Sequence, residues 1–124
     1  MFVDDACRGL EVIMRCGAPG EVYNLGPGGP QTDNYEIARR IAELANQGSD
    51  AVYRTEYDRP QHDRRYAVDS GKVRALGWSP QIDLQEGLNR TVQWYRGHRD
   101  WWEPLLDDAE RLYQDDPRRQ DRST

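Results

Sequence analysis

Five consecutive residues, Gly26-Pro27-Gly28-Gly29-Pro30, form a barrier that neither a helix nor a strand can cross. Proline locks its own φ and removes a hydrogen-bond donor, and glycine loses the most backbone freedom on ordering. The run closes the β-rich stretch Glu21-Val22-Tyr23-Asn24-Leu25, so the pattern predicts a short strand over 21–25 running into a turn. Five such residues exceed what a tight turn needs. The backbone there is expected to pass close to a ligand or another chain segment. The run is not a dinucleotide-binding loop, because the Gly-x-Gly-x-x-Gly spacing is absent.

Helical patterns lie on either side. Asp4 or Asp5 is the expected cap of a first helix, with Ala6, Leu10, Ile13 and Met14 on one face and Gly17 and Pro19 ending it. Asp33 and Glu36 stand at capping-box spacing before a second helix striped by Ile37, Ile41 and Leu44 and ending near Gln47-Gly48. Short strands are predicted at 51–53 and 66–68. Asp69 is the expected cap of a short helix through Leu76, with Gly77 in the left-handed position after it. Asp83 and Glu86 repeat the capping-box spacing. Leu84, Leu88, Thr91, Val92 and Tyr95 follow as the clearest amphipathic pattern, stopped at Gly97. A last helix is expected through Leu105, Leu106, Ala109, Leu112 and Tyr113, with Trp101-Trp102 before it. From residue 114 the chain holds nothing apolar, and 114–124 is expected to be a disordered polar tail.

The densest group of directional polar side chains is Asp58-Arg59-Pro60-Gln61-His62-Asp63-Arg64-Arg65-Tyr66. Pro60 biases Arg59 towards extended conformations, so the run reads as a loop of set shape. Arginine presents a planar fork that matches a carboxylate or phosphate at two points, and a shaped loop of arginines can grip a diphosphate. Between residues 54 and 66, four arginines face Glu56, Asp58 and Asp63, so the segment is nearly neutral and is not a nucleic-acid patch. The competing reading is a solvated loop of weak surface pairs, each worth about 0 to 1 kcal/mol. Asn24, at the end of the predicted strand, is either a ligand contact or the cap of the glycine turn. His62 is either a donor to a phosphate or ribose oxygen or a plain surface residue. His98 fits a favourable charge at a helix C-terminus. The tyrosines Tyr66 and Tyr95 and all four tryptophans read as core or lobe-interface residues.

Composition narrows the function classes. The 124 residues suffice for one modest domain. A mean hydropathy of −1.02 is polar for a chain that must close its own core. Four Trp and seven Tyr nevertheless argue against wholesale disorder, and together these suggest part of a larger protein. A net charge of −5 disfavours general binding to nucleic acid or anionic membrane. No apolar run approaches the ~20 residues of a membrane span. No signal-peptide core precedes residue 20, and Cys7 and Cys16 make no disulfide framework, so a cytoplasmic location is expected. With only His62 and His98 besides, the thiols form no recognisable metal site, and no catalytic triad can be assembled. On these residues alone, the chain binds an anionic group and does not catalyse by itself.

The run from Asp58 to Asp69 resembles the C-terminal signature of the dTDP-glucose 4,6-dehydratases, NAD-dependent members of the extended short-chain dehydrogenase/reductase superfamily. The resemblance continues through Lys72, Leu76-Gly77-Trp78-Ser79-Pro80, Glu86-Gly87-Leu88 and Thr91-Val92-Gln93-Trp94-Tyr95. Phe2-Val3-Asp4-Asp5, Gly20-Glu21-Val22-Tyr23-Asn24-Leu25-Gly26 and Trp101-Trp102-Glu103-Pro104-Leu105 also fit. The Tyr-Asn-Leu-Gly and Leu-Gly-Trp-x-Pro pieces are shared with sugar-nucleotide epimerases and decarboxylases; the arginine run is far more specific. Gln61 stands where the family usually has Gly.

The resemblance implies an α/β fold class: the C-terminal substrate-binding lobe of such an enzyme, mostly helical with a few short strands and without the Rossmann core. It implies residues 1–113 as a nucleotide-sugar-binding portion. Asn24, Arg59 and His62 match positions that contact the diphosphate or ribose, and Asp58, Pro60 and Gln61 shape that contact. NAD, the Tyr-x-x-x-Lys pair and the acidic dehydration pair belong to an N-terminal part outside this sequence, so the chain alone is expected to be inactive. The implied partners are a dTDP-sugar nucleotide, the Rossmann domain and, in the family, a second subunit. The alternatives are a UDP-sugar epimerase or decarboxylase fragment, and a non-catalytic binding module or truncated product.

Overall fold

A computed structural model of the chain describes residues 1–48, 51–52 and 67–114, and the side chains up to 111. The described residues are helical and contain no strand. The chain divides into two compact units, 1–90 and 91–124.

In the first unit, helix α1 spans Val3–Cys16. Neither Asp4 nor Asp5 caps it. The N-cap is Phe2, in extended backbone with no side-chain cap bond. Asp5 instead lies inside the helix and is fully buried. Gly17 ends α1 as expected: its N–H donates to the Ile13 carbonyl at 2.8 Å, and a Cβ there would stand 2.5 Å from that oxygen. The buried side of α1 is centred on Asp5 and Gly9. Of the predicted apolar face, Ala6 and Ile13 are half-buried, but Leu10 and Met14 are exposed.

Helix α2 spans Asn34–Leu44, and its predicted capping spacing is used: Asp33 Oδ1 accepts from the Glu36 N–H at 2.8 Å. The helix stops at Asn46, which takes φ 58°, while the Gln47 N–H returns to the Ala42 carbonyl at 2.8 Å. Asparagine tolerates this left-handed conformation, so the stop comes before Gly48. Helix α3 is a single turn, Gly71–Arg74, with Ser70 in the N-cap position. Asp69 acts one residue earlier than predicted, its Oδ1 accepting from the Gly71 N–H at 2.8 Å. Gly77 follows at φ 92°, as predicted.

The apolar core of the described residues is small: Ala42, Val73 and Trp78. Val73 comes from α3, which packs on α1. Trp78 meets α1 at Gly9, where a Cβ would stand 3.1 Å from its indole nitrogen and 2.5 Å from Leu25 Cδ2. Helix α4 spans Leu84–Gly97 and starts on the second capping pair, the Glu86 N–H donating to Asp83 Oδ1 at 2.8 Å. Gly87 is buried against Phe2, and the Arg90 guanidinium lies 5.8 Å from the Phe2 ring centroid.

In the second unit, α5 covers Arg99–Trp102, a 3₁₀ turn covers Glu103–Leu105, and α6 covers Leu106–Gln114. His98 stacks on Trp94 at 4.7 Å and donates from Nδ1 to the Trp94 carbonyl. Trp102 donates to the Tyr95 carbonyl at 2.8 Å. Of the four tryptophans read as core or interface, Trp78 alone is core; Trp102 is half-buried, and Trp94 and Trp101 are exposed. The expected tail begins at Gln114, the last residue of α6, and continues outside the described residues.

Among the described residues none of the three expected strands is formed. Residues 21–25 form none, Ala51 sits in a turn, and Ala67 and Val68 are irregular. Tyr53 and Tyr66 lie outside the described residues. A strand exists only when its backbone is paired, and no described segment offers the 21–25 backbone a ladder. Among the described residues no helix is long and apolar enough to cross a membrane.

Candidate functional site

Among the predicted site residues the structure describes Asn24. Asp58, Arg59, Pro60, Gln61 and His62 lie outside the described residues. Asn24 is exposed, and its side chain makes no hydrogen bond to a described residue. The alternative in which its amide caps the glycine turn is therefore not realised among these residues.

The backbone on both sides of Asn24 is held by residues 68–74. Upstream, Lys72 pairs with Glu21 and stands 4.7 Å from the Tyr23 ring centroid. That pairing, through the hydrogen bond first and the Lys72 charge second, holds the Glu21 carboxyl below its ordinary range. The Tyr23 hydroxyl accepts from the Ala18 N–H at 2.9 Å. Downstream, the buried Ser70 hydroxyl donates to the Gly26 carbonyl at 3.2 Å, and Arg74 donates to the Pro27 carbonyl at 3.0 Å. A Cβ on Gly26 would stand 2.6 Å from Val68 Cγ2. The glycine run does bring the backbone close to another chain segment. Gly28 and Gly29 take φ 67° and 77°, which a side chain would strain. Among the described residues Asn24 is thus an exposed amide without a hydrogen-bond partner, on a backbone held on both sides. Sequence reasoning missed the fixing residues Ser70, Lys72 and Arg74, because single-residue chemistry marks none of them.

A second polar centre holds the unit together. Asp5 accepts from the Gln81 N–H at 2.8 Å and the Ile82 N–H at 3.0 Å, and pairs with Arg8. Burial pushes its carboxyl up. The two backbone bonds and the Arg8 contact outweigh this and hold it below the usual carboxylate range. These three partners are structural, and no cluster of three metal-ligating side chains occurs among the described residues.

The dTDP-glucose 4,6-dehydratase of Streptomyces griseus is 47% identical to this chain over 107 residues, which cover 86% of the chain and 32% of that protein. The chain matches the C-terminal part of the dTDP-glucose 4,6-dehydratases. It spans about a third of the length of the curated relatives it matches. Two solved dehydratase structures share its fold. That of Streptomyces venezuelae, with NAD and TYD bound, is 42% identical with a TM-score of 0.72, covering 82% of this chain and 31% of that one. That of Bacillus anthracis, in complex with NAD, is 36% identical with a TM-score of 0.71, covering 83% and 32%. No family model matches the chain.

Proposed function

We propose that residues 1–113 are the substrate-binding lobe of a dTDP-glucose 4,6-dehydratase. In this reading Asn24, Arg59 and His62 contact the diphosphate or ribose of a dTDP-sugar, and Asp58, Pro60 and Gln61 shape that contact. One observation supports it above the others: Val68, two residues after the arginine run, packs on Gly26, two residues after Asn24. Val68 is therefore anchored two residues from Asn24 along the segment it packs on, and Ser70 locks the anchor through the Gly26 carbonyl. An exposed amide on a held backbone, together with the arginines of the 58–66 run, suits the diphosphate of TYD, thymidine diphosphate, the ligand of the similar Streptomyces venezuelae enzyme.

The described residues around the glycine turn do not fit NAD. The turn presents carbonyls already bonded to Ser70 and Arg74. The helix after it starts behind the Asp33 carboxylate, which already takes the Glu36 amide and sets a negative charge where a diphosphate would sit. Oxidation and dehydration of the sugar accordingly fall to the part of the relatives outside the match, and this chain alone is inactive. The working protein is cytoplasmic and homodimeric in this reading.

The test is an amide NMR spectrum of the chain, titrated with dTDP-glucose and then UDP-glucose. Shifts at Asn24 and at 58–62, larger for the thymidine nucleotide, are expected. A dispersed spectrum that ignores both nucleotides would overturn the assignment.

A further inference from the structure

The glycine turn over residues 26–30 is poorly equipped to hold its own place. Glycine loses the most backbone freedom on ordering, and among the described residues no ladder pairs the segment that leads into the turn. Two side chains from elsewhere hold its main chain, Ser70 at the Gly26 carbonyl and Arg74 at the Pro27 carbonyl. They differ in kind: Ser70 is buried, whereas Arg74 is exposed. Arg74 also differs from Arg15, Arg40, Arg90 and Arg99, each of which meets a glutamate four residues away. Among the described residues no carboxylate pairs with Arg74. Its guanidinium instead donates to a main-chain carbonyl 47 residues away and lies 5.8 Å from the centroid of the Trp78 ring. Trp78 is buried and tied to the Asp5 carbonyl. Gly28 leaves room for this arrangement, since a Cβ there would stand 3.0 Å from an Arg74 nitrogen.

We propose that Arg74 is a positioning residue for the nucleotide site: it ties the glycine turn to the Trp78 ring, and through the turn it sets where the backbone carries Asn24. The proposal rests on the substrate-lobe reading and adds to it a residue that acts without touching the nucleotide. A side-chain amide serves a diphosphate or ribose oxygen only when its backbone is held to within about 0.5 Å. The core offers a fixed point in Trp78, whose indole N–H is bonded to Asp5. Arg74 spans from that point to the Pro27 carbonyl, three residues past Asn24. An exposed link of this kind adds little to the stability of the unit, because polar interactions at the surface are weak. Its effect is on placement. Removing it lowers affinity and leaves the unfolding midpoint nearly unchanged.

The test is isothermal titration with thymidine diphosphate on the full chain, unsubstituted and as Asn24→Ala, Arg74→Met and the double variant. Arg74→Met is expected to weaken binding roughly three- to tenfold, and to have little further effect once Asn24 is replaced. Arg74→Lys, which keeps a donor for the Pro27 carbonyl, is expected to recover most of the loss. The urea midpoint of Arg74→Met should stay near that of the unsubstituted chain. An equal loss in both backgrounds would mean that the Arg74 charge acts on the diphosphate directly, and overturns the proposal. So does unchanged affinity in Arg74→Met where Asn24→Ala weakens binding. Amide spectra without nucleotide separate these outcomes from failure of the substrate reading. Arg74→Met is expected to shift the Gly26, Gly28 and Gly29 amides, and amides that stay in place overturn the positioning role. Shifted amides with no nucleotide bound by any form, the unsubstituted chain included, would remove the substrate-site reading and leave Arg74 as the holder of the turn.

Discussion

The Trp78 indole N–H donates to the Asp5 backbone carbonyl at 3.0 Å, joining residues 73 positions apart. The Asp5 carboxylate reaches the same segment through the Gln81 and Ile82 amides. One residue in the first turn of α1 therefore grips residues 78–82 with both its main chain and its side chain. With so few buried apolar side chains, this polar grip sets how α1 lies in its unit.

Acid should release that grip. The folded Asp5 carboxyl is held below its unfolded value, so on acidification the unfolded chain takes up the proton first. Its contribution is complete at neutral pH and is lost as the pH falls below about 4, through the folded value. Glu21 shifts in the same direction for its own reason, the Lys72 pairing. Urea midpoints are expected to be flat near neutrality and to drop steeply in acid. Asp5→Asn should lower the neutral midpoint and flatten the acid drop. An acid limb identical to that of the unsubstituted chain would show that Asp5 does not carry it.

Gly9→Ala tests the α1–Trp78 contact. Helix propensity alone would favour alanine by about 1 kcal/mol. The added Cβ would meet Leu25 Cδ2 at 2.5 Å and the Trp78 indole nitrogen at 3.1 Å. Trp78 is tied to Asp5 and cannot easily retreat, and overpacking typically costs about 1 to 3 kcal/mol. A net loss of about 1 to 2 kcal/mol is expected in urea unfolding. Gly97→Ala, where a Cβ meets nothing within 4 Å, should be neutral or stabilising.

Ser70→Ala leaves the Gly26 carbonyl without its donor in a buried setting. The expected cost is about 1 to 3 kcal/mol, with faster amide exchange concentrated at 24–28. Uniformly faster exchange across the first unit would mean that Ser70 supports the fold generally and not the Asn24 segment.

Arg59→Ala should weaken thymidine diphosphate binding by about 1 to 3 kcal/mol, the worth of a lost charge-assisted bond. Isothermal titration against the unsubstituted chain reads this directly. Unchanged affinity would remove Arg59 from the site.

Local signals in the sequence were legible and distant ones were not. The Asp33–Glu36 and Asp83–Glu86 spacings are read from four residues each, and both produce the predicted cap bond. Asp5 looks like a cap by the same local rule, yet its partners lie 76 and 77 residues away, where no spacing rule reaches. Residues 21–25 have strand composition, but composition names no partner backbone. Leu10 and Met14 fit a helical stripe with Ala6 and Ile13, and periodicity does not say which edge of that stripe the chain itself covers. Asn24 was recognisable by type and place, whereas Ser70, Lys72 and Arg74 act on it only through the backbone on either side.

The Asp5–Gln81 bond also orders events in time. At roughly 5 to 20 residues per second of synthesis, the 76 residues between these partners take about 4 to 15 s to emerge. Until that interval ends, α1 lacks the 81–82 amides that its Asp5 carboxylate binds in the finished unit. The first helix made in this unit waits for nearly the whole unit before its polar grip can close.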